Sequence, residues 1–471
     1  MKNPSSSGGK SYREGFEANL LAILDACEAK ETQDTHDDRL AFLDAVRTAS
    51  VVPEHGTRPT YKIFEAVFHI LRLGKSLELI MASYQLLIEL EKRFPRVYLP
   101  SEDKFKSSSV TPSELVVVKE AWTPFIFSME GNVSTVGEAA DRQPGELLDS
   151  SSFHLLIEEL AEMLTEANFQ ATGVKNMLLL QYLVYVLEGD FLPRNATMKW
   201  NVQRESLLNM LLGSRKINYK NLMKDCLHFI CQLSQLHVQL NTRLELKDSS
   251  ETGTSLSNCH TALLIALLEV GTNTCVSMEK FLAMAMELDM SRKKADNEGY
   301  TTRADGVRTP LVEIILDELT YSVDTVPLFL QVFNDPKWKL ETVVQYLWKY
   351  IAKPVRTRRS NSSTHDATFS GALKCFSNNT STKSIIKKIG PDTVQLLLAH
   401  GFQAQLSEGY REDNTAGQAQ GKAGNLVDLC KDVITAFDSM RSTHEHMEIL
   451  SIGKEALFTA ATIISVENSS D

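Results

Sequence analysis

The sequence lacks any apolar run that approaches the roughly 18 to 20 residues needed to cross a bilayer. Its first ten residues are rich in serine and glycine and lack the apolar core of a secretory signal. These two absences argue against a membrane-spanning or secreted protein. We predict a soluble protein of the cell interior with no membrane partner.

Closely spaced cysteine pairs are also missing, because no CxxC motif occurs anywhere in the chain. A zinc ribbon and a thioredoxin-like site are therefore not expected. The chain has seven cysteines, an odd number, and most of them fall within apolar helical patterns. They are Cys27, Cys226, Cys231, Cys259, Cys275, Cys375 and Cys430. Scattered cysteines of this kind indicate free thiols in a reducing compartment.

The chain has no excess of positive charge, since 49 Lys and Arg residues face 60 Asp and Glu residues and the formal net charge is −11. Such a balance opposes a broad attraction to the phosphate backbone of nucleic acids. Any contact with DNA is therefore expected to be indirect, or to depend on a local basic patch.

Complete catalytic, nucleotide-binding and metal-binding motifs are absent as well. Gly9, Lys10 and Ser11 resemble the end of a P-loop, but Pro4 stands where its first glycine is required. Residues 444–446 (HEH) and 259–260 (CH) are adjacent pairs or triplets, which a helix points to different faces. We predict a protein that is not an enzyme and has no catalytic residue, cofactor, metal ligand or small-molecule substrate.

Helical periodicity, in contrast, recurs almost from end to end. Two helices are announced by prolines, one after Thr309 and Pro310 and one after Asp335 and Pro336. The expected apolar face of the first helix is Leu311, Ile314, Ile315 and Leu319. That of the second is Leu340, Val343, Val344, Leu347 and Ile351.

About eighteen such helices with no alternating strands predict an all-α fold, specifically a degenerate armadillo/HEAT-like helical solenoid without a fixed sequence repeat. We expect one continuous solenoid over residues 14–466, with an N-terminal tail at 1–13 and a C-terminal tail at 467–471. Its predicted polar loops lie near 101–112, 129–152, 247–256, 291–308, 356–370 and 405–424.

Two helical segments allow a functional and a structural interpretation. The first segment has apolar residues at heptad spacing, which indicates either a coiled-coil seam or, more simply, a long helix packed on its neighbours. These residues are Leu222, Cys226, Phe229, Leu233, Leu236 and Leu240. A methionine series could line an adaptable groove or fill the core; it comprises Met278, Met284, Met286 and Met290. In both cases the pattern favours the structural interpretation.

A compact basic run follows the second proline-led helix. Its four cations are Lys353, Arg356, Arg358 and Arg359, and Pro354 prevents the helix from continuing through them. Closely spaced cations on an accessible segment are typical of a nuclear import signal, although a phosphate contact or a solvated loop fits the same residues. Residues 291–294 (SRKK) form a weaker second candidate.

Several short stretches resemble those of a known family and follow one another along the chain in the same order as in that family. The resemblance extends over nearly the whole chain outside the polar loops. The stretches are 38–40 (DRL), 52–54 (VPE), 293–296 (KKAD), 305–310 (DGVRTP), 313–321 (EIILDELTY), Phe333, 335–341 (DPKWKLE), 353–355 (KPV), 387–392 (KKIGPD) and 453–455 (GKE). With these stretches the chain resembles the plant family of negative regulators of systemic acquired resistance.

That resemblance implies a nuclear, non-enzymatic, armadillo-like protein that keeps defence genes repressed until infection. It further implies a role in DNA-damage repair and homologous recombination, as a subunit of the five/six-type SMC complex similar to non-SMC element six. The implied partners are an element-five-like protein and the SMC subunits. The rival hypothesis is an importin-type cargo adaptor, which would need regular repeats with ordered tryptophan arrays. The chain has four tryptophans, Trp122, Trp200, Trp338 and Trp348.

Overall fold

The computed structural model describes residues 33–100, 115–119, 121–127, 147–165, 171–248, 255–302, 308–351, 367–413, 423–444 and 447–468. The predicted N-terminal tail, residues 469–471 of the predicted C-terminal tail, the loop at 101–112 and the basic run around Pro354 lie outside these ranges, whereas residues 467 and 468 end the last helix. The contacts divide the chain into two compact units, Met1–Arg308 and Thr309–Asp471. The prediction of one continuous solenoid over residues 14–466 stays a prediction, because this grouping of contacts does not test how the helices stack.

Unit 1 is built mainly from helices. They are α1 (Gln33–Ser50), α2 (Tyr61–Leu73), α3 (Leu77–Arg93), α4 (Ser150–Thr165), α5 (Ala171–Ala196), α6 (Trp200–Arg204), α7 (Leu207–Leu212), α8 (Tyr219–Asp248) and α9 (Ser255–Asn297). The pairs α2–α3, α3–α5, α5–α9 and α4–α8 pack against each other. None of the described helices is long and apolar enough to cross a membrane.

An aromatic cluster forms part of the core of unit 1. The ring of Trp122 stacks on Phe64 at 5.6 Å and meets the edge of Phe68 at 5.4 Å. Tyr182 on α5 completes the cluster, 6.5 Å from Trp122. Because all four side chains are buried, the segment that carries Trp122 is held on α2 and α5 by apolar contact.

A small antiparallel ladder corrects the expectation of no strands. Strand β1 (Val97–Tyr98) pairs with β2 (Val116–Val117), with Val97 opposite Val117. Each strand has only two residues, which is too short to produce the alternating pattern by which strands are recognised in a sequence. The described part of the chain is nevertheless mostly helical, which confirms the all-α class.

The heptad residues of α8 lie inside unit 1. Leu222, Cys226 and Phe229 are fully buried and Leu233 is 5% exposed, because α8 packs on α4 and α9. The simpler interpretation of the heptad, a helix packed on its neighbours, is therefore confirmed for these four residues. Met278, Met284 and Met286 are likewise buried core residues, whereas Met290 is exposed.

Unit 2 is also helical. Its helices are α10 (Leu311–Tyr321), α11 (Thr325–Val332), α12 (Pro336–Tyr350), α13 (Phe369–Lys374), α14 (Asn379–Ile389), α15 (Pro391–Asp413), α16 (Ala423–Thr443) and α17 (Ser451–Asn468), with a 3-10 turn at Cys375–Ser377. Helix α15 packs on α12 and α17, and α16 packs on α17.

The two proline-led helices begin where the sequence predicted. Pro310 directly precedes α10, and Pro336 is the first residue of α12. The Asp335 carboxylate accepts a hydrogen bond from the backbone N–H of Trp338 at 3.0 Å, so it caps α12. All predicted face residues of both helices are buried except Leu340, which is half-buried.

Helices extend into several predicted loops. Helix α9 continues to Asn297, α15 continues to Asp413, and α4 already begins at Ser150. In the 291–297 stretch Lys293 and Lys294 are exposed while Ala295 is buried. Polar residues there cover the solvent face of a helix, so polar composition alone did not indicate a loop. The second import candidate therefore lies on a helix and not on an extended segment.

Candidate functional site

The predicted import run lies between two described helices but outside the described residues. Helix α12 ends at Tyr350, three residues before Lys353, and α13 begins at Phe369. Ile351, which follows α12, is 5% exposed and anchors the end of that helix. The import function of Lys353, Arg356, Arg358 and Arg359 stays a prediction.

Two of the stretches that carry the resemblance, 387–392 and 453–455, contribute to one cavity of unit 2. The cavity has a volume of about 570 Å³. Its lining residues are Pro391, Asp392, His444, Met447, Glu448, Ile449, Leu450, Ser451 and Lys454. We name it the α15–α17 pocket, because it opens between the start of α15 and the start of α17.

One wall of the α15–α17 pocket is fixed by the buried side chain of Gln395. Its amide nitrogen donates to the backbone carbonyl of Glu448 at 3.1 Å, and its amide oxygen accepts from the backbone N–H of Leu450 at 3.0 Å. A single side chain thus satisfies two backbone groups of the segment that leads into α17. This segment is held in place by specific hydrogen bonds in addition to apolar contact.

Two glycines shape the same region. Gly390 has φ of 98° between α14 and α15, a conformation that favours glycine and allows Pro391 to start the next helix directly. Gly453 lies in a closely packed position, since a Cβ there would lie 3.0 Å from the Phe437 ring and 3.1 Å from the Ile449 side chain. Both glycines belong to the stretches that carry the resemblance.

The charged groups of the pocket lie at its open side. Asp392, Glu448 and Lys454 are exposed, while Met447, Ile449 and Leu450 are half-buried. This combination can contact the apolar and charged groups of a peptide segment.

A charged cluster joins the start of α8 to the later part of α9 in unit 1. Nη2 of Arg308 lies 2.7 Å from Oδ1 of Asp289, and its guanidinium carbon is 4.4 Å from the centre of the Tyr219 ring. The Tyr219 hydroxyl donates to Oδ2 of Asp289 at 2.9 Å. Burial raises the pKa of Tyr219 well above its ordinary value, so the phenol remains a donor. Arg308, from the 305–310 stretch, therefore has a structural role.

A second buried network lies beside the aromatic cluster. Asp190 accepts a hydrogen bond from the backbone N–H of Leu207 at 2.8 Å, and it lies 3.3 Å from the guanidinium nitrogens of both Arg96 and Arg194. Two cations and a helix N-terminus thus compensate one buried carboxylate. The network links β1, α5 and α7 and has a structural role.

A histidine–carboxylate cluster occupies the outer edge of the α4–α8 pair. Nε2 of His154 lies 3.6 Å from Oε1 of Glu158 and 3.3 Å from Oδ2 of Asp225. His154 and Glu158 are four residues apart, a spacing that places two side chains together on one helix face and that none of the motifs considered above includes. Asp225 comes from another helix and had no sequence signal. Within the described residues, this is the group whose geometry could hold a metal ion.

Comparison with known proteins decides the family. Residues 96–335 match the SNI1 middle domain and residues 350–468 match the SNI1 C-terminal domain. The curated Arabidopsis thaliana protein "Negative regulator of systemic acquired resistance SNI1" is 43% identical over 467 residues, which cover 97% of this chain and 96% of that protein. The chain belongs to the SNI1 family. The predicted resemblance is thereby confirmed, and no solved structure matches the chain.

The SNI1 domain boundaries do not coincide with the compact units. The middle-domain match ends at Asp335, the cap of α12, whereas unit 1 ends at Arg308. Helices α10 and α11 therefore match the SNI1 middle domain and yet belong to unit 2. The α15–α17 pocket lies wholly within the SNI1 C-terminal match.

Proposed function

We propose that the protein is a non-catalytic nuclear scaffold that represses plant defence genes and so acts as a negative regulator of systemic acquired resistance. The observation that carries this proposal is the 43% identity, over nearly the full length of both chains, to a relative that bears this regulatory name. The mainly helical architecture is consistent with a protein that works by binding partners through its surfaces.

We further infer that the helices stack in the manner of armadillo and HEAT solenoids, and that the protein serves in DNA-damage repair and homologous recombination. In this role it would be a subunit of the five/six-type SMC complex, with an element-five-like protein and the SMC subunits as partners. The resemblance of the sequence supports this part of the proposal. The net charge of −11 favours indirect contact with DNA, through those partners.

The importin-type adaptor receives less support from the positions of the tryptophans. Trp122, Trp200 and Trp338 are 5%, 7% and 5% exposed, so they are core residues and cannot form an exposed ligand-binding array. Trp348 is half-buried, and its indole N–H donates to the Thr368 carbonyl at 3.2 Å.

Expression of the chain in an Arabidopsis line that lacks its SNI1 protein tests the regulatory function. We expect repression of defence genes in uninfected plants to be restored. A stable, nuclear, correctly folded protein that leaves these genes derepressed would contradict the proposal.

Affinity purification from plant nuclei, followed by mass spectrometry, tests the proposed partners. SMC subunits are the expected result, whereas diverse import cargo would favour the adaptor.

A charge-reversed pocket variant, Asp392→Lys with Glu448→Lys, then tests whether the α15–α17 pocket contributes to binding of these partners. The matched control is Asp428→Lys with Asp438→Lys, which reverses two exposed acids on α16 away from the pocket lining. Loss of partners in both variants would reflect net charge and not the pocket.

A further inference from the structure

The histidine–carboxylate cluster on α4 and α8 has the composition of a metal site. The three ligand atoms of His154, Glu158 and Asp225 all lie within 4.8 Å of one another. An imidazole nitrogen and two carboxylate oxygens are ligands that divalent transition metals accept, and two carboxylates balance a charge of +2.

The distances within the cluster fit a shared ion as well as they fit the long hydrogen bond between His154 and Asp225. Charge-assisted N–H···O bonds close to about 2.7–2.9 Å. Nε2 of His154 is instead 3.3 Å from the Asp225 oxygen and 3.6 Å from the Glu158 oxygen. Two ligands of a tetrahedral zinc ion, with bonds of about 2.0–2.2 Å, are separated by about 3.3–3.6 Å. Both measured separations fall in this range.

The helices hold the three side chains in register from the buried side. Phe153 and Ile157, next to the ligands on α4, are fully buried, as is Cys226, next to Asp225. The side chains of His154, Asp225 and Glu158 are 15%, 34% and 48% exposed, so the cluster opens toward solvent on one side. Water can therefore reach a fourth coordination position.

We propose that His154, Glu158 and Asp225 bind a divalent transition-metal ion, with Zn²⁺ as the reference ion and water as the fourth ligand. The bound ion cross-links α4 to α8 and stabilises unit 1. This site is independent of the proposed regulatory function, which requires no metal. It departs from the expectation from the sequence that the chain holds no metal ligand.

Calorimetric titration of the chelator-treated full chain with Zn²⁺ tests the site. We expect one ion per chain and a rise of the melting temperature by several degrees on saturation. Glu158→Gln and Asp225→Asn should each weaken binding at least ~10-fold, because each replaces a charged ligand by a neutral one of the same shape. His228→Ala is the matched control, since His228 is exposed on the same helix as Asp225 and lies outside the cluster.

Both carboxylate variants should still fold, because the replaced side chains are partly exposed and the core is unchanged. A loss of metal binding in them can therefore be separated from a loss of folding. Circular dichroism in the presence of chelator should show native helicity for both. A Co²⁺-loaded wild-type chain should show the visible absorption of four-coordinate cobalt, and the variants should lose it. Absence of Zn²⁺ binding to the wild type, or equal binding by the wild type and both carboxylate variants, would overturn the assignment. Equal binding would place the ion elsewhere, for instance on cysteine thiols.

Discussion

Replacement of Glu91 by Gln should change how the stability of unit 1 depends on pH. Glu91 lies near the end of α3, and its carboxylate accepts a hydrogen bond from the Tyr182 hydroxyl at 3.2 Å, beside the aromatic cluster. Burial raises the pKa of Glu91 from 4.5 to about 7, because the ionised carboxylate loses hydration. The hydrogen bond from Tyr182 and the charges of Arg58 and Arg96 oppose this rise only in part.

The folded state therefore binds the Glu91 proton more tightly than the unfolded state does. The resulting stabilisation is present in full below about pH 4.5 and is lost as the pH rises through about 7. The shift from 4.5 to about 7 corresponds to about 3–4 kcal/mol over the full pH range, since each pKa unit is worth about 1.4 kcal/mol. Glu91→Gln keeps an acceptor for Tyr182 but cannot ionise, so it should remove this loss.

Urea unfolding of the wild type and the variant at pH 5, 6, 7 and 8, followed by circular dichroism, measures the effect. We expect the variant to gain up to about 3 kcal/mol over the wild type between pH 5 and pH 8. Glu89→Gln is the control, because Glu89 lies on the same helix with a 40% exposed side chain, and its ion pair with Arg47 contributes little. An identical pH dependence of the wild type and Glu91→Gln would refute the reasoning.

Three further predictions concern unit 2 and the import run. Trp338→Ala should lower the free energy of unfolding by about 3–5 kcal/mol, because the indole is buried, and an unchanged melting temperature would contradict a core role. Gly401→Ala should cost about 1–3 kcal/mol, since its Cβ would lie 2.5 Å from the Phe369 ring. Gly409→Ala on the same helix meets nothing within 4 Å and should be neutral or stabilising in the same thermal melts; equal costs at both glycines would argue against the clash. A fluorescent fusion protein in which the four cations of the import run are changed to Ala should move toward the cytoplasm. The control fusion, Lys293→Ala with Lys294→Ala on helix α9, should stay nuclear. An undiminished nuclear signal in the first variant would remove the import hypothesis. The four cations are Lys353, Arg356, Arg358 and Arg359.

The start of α12 could be predicted from the sequence because its signal is local. An aspartate that can cap a helix and a proline at the first helical position act within one turn, and the structure places them there. The two-residue strands and the extension of α9 to Asn297 could not be predicted in this way. The pairing of Val97 with Val117, 20 positions apart, depends on packing against distant segments. The same holds for whether a polar stretch forms a loop or the solvent face of a helix.

The same distinction applies to the candidate sites. His154 and Glu158 are four residues apart and could have been recognised together, whereas Asp225 joins them only because α4 packs on α8. Gln395 gave no sequence signal, although it makes both hydrogen bonds that fix the wall of the α15–α17 pocket. Long-range contacts thus supply the parts of each site that short motifs leave out.

The stretches that carry the family resemblance mostly fix the course of the backbone. Arg308 ties the end of unit 1 to α8 and α9, Asp335 caps α12, Gly390 makes the turn before α15, and Gly453 permits close packing of α17. Substitutions of these four residues should therefore impair regulation through loss of folded protein, and not through loss of one partner. Partner surfaces are better sought among the exposed residues of the same stretches, such as Asp392 and Lys454 in the pocket. A variant that keeps its melting temperature and loses only one partner would separate the two effects.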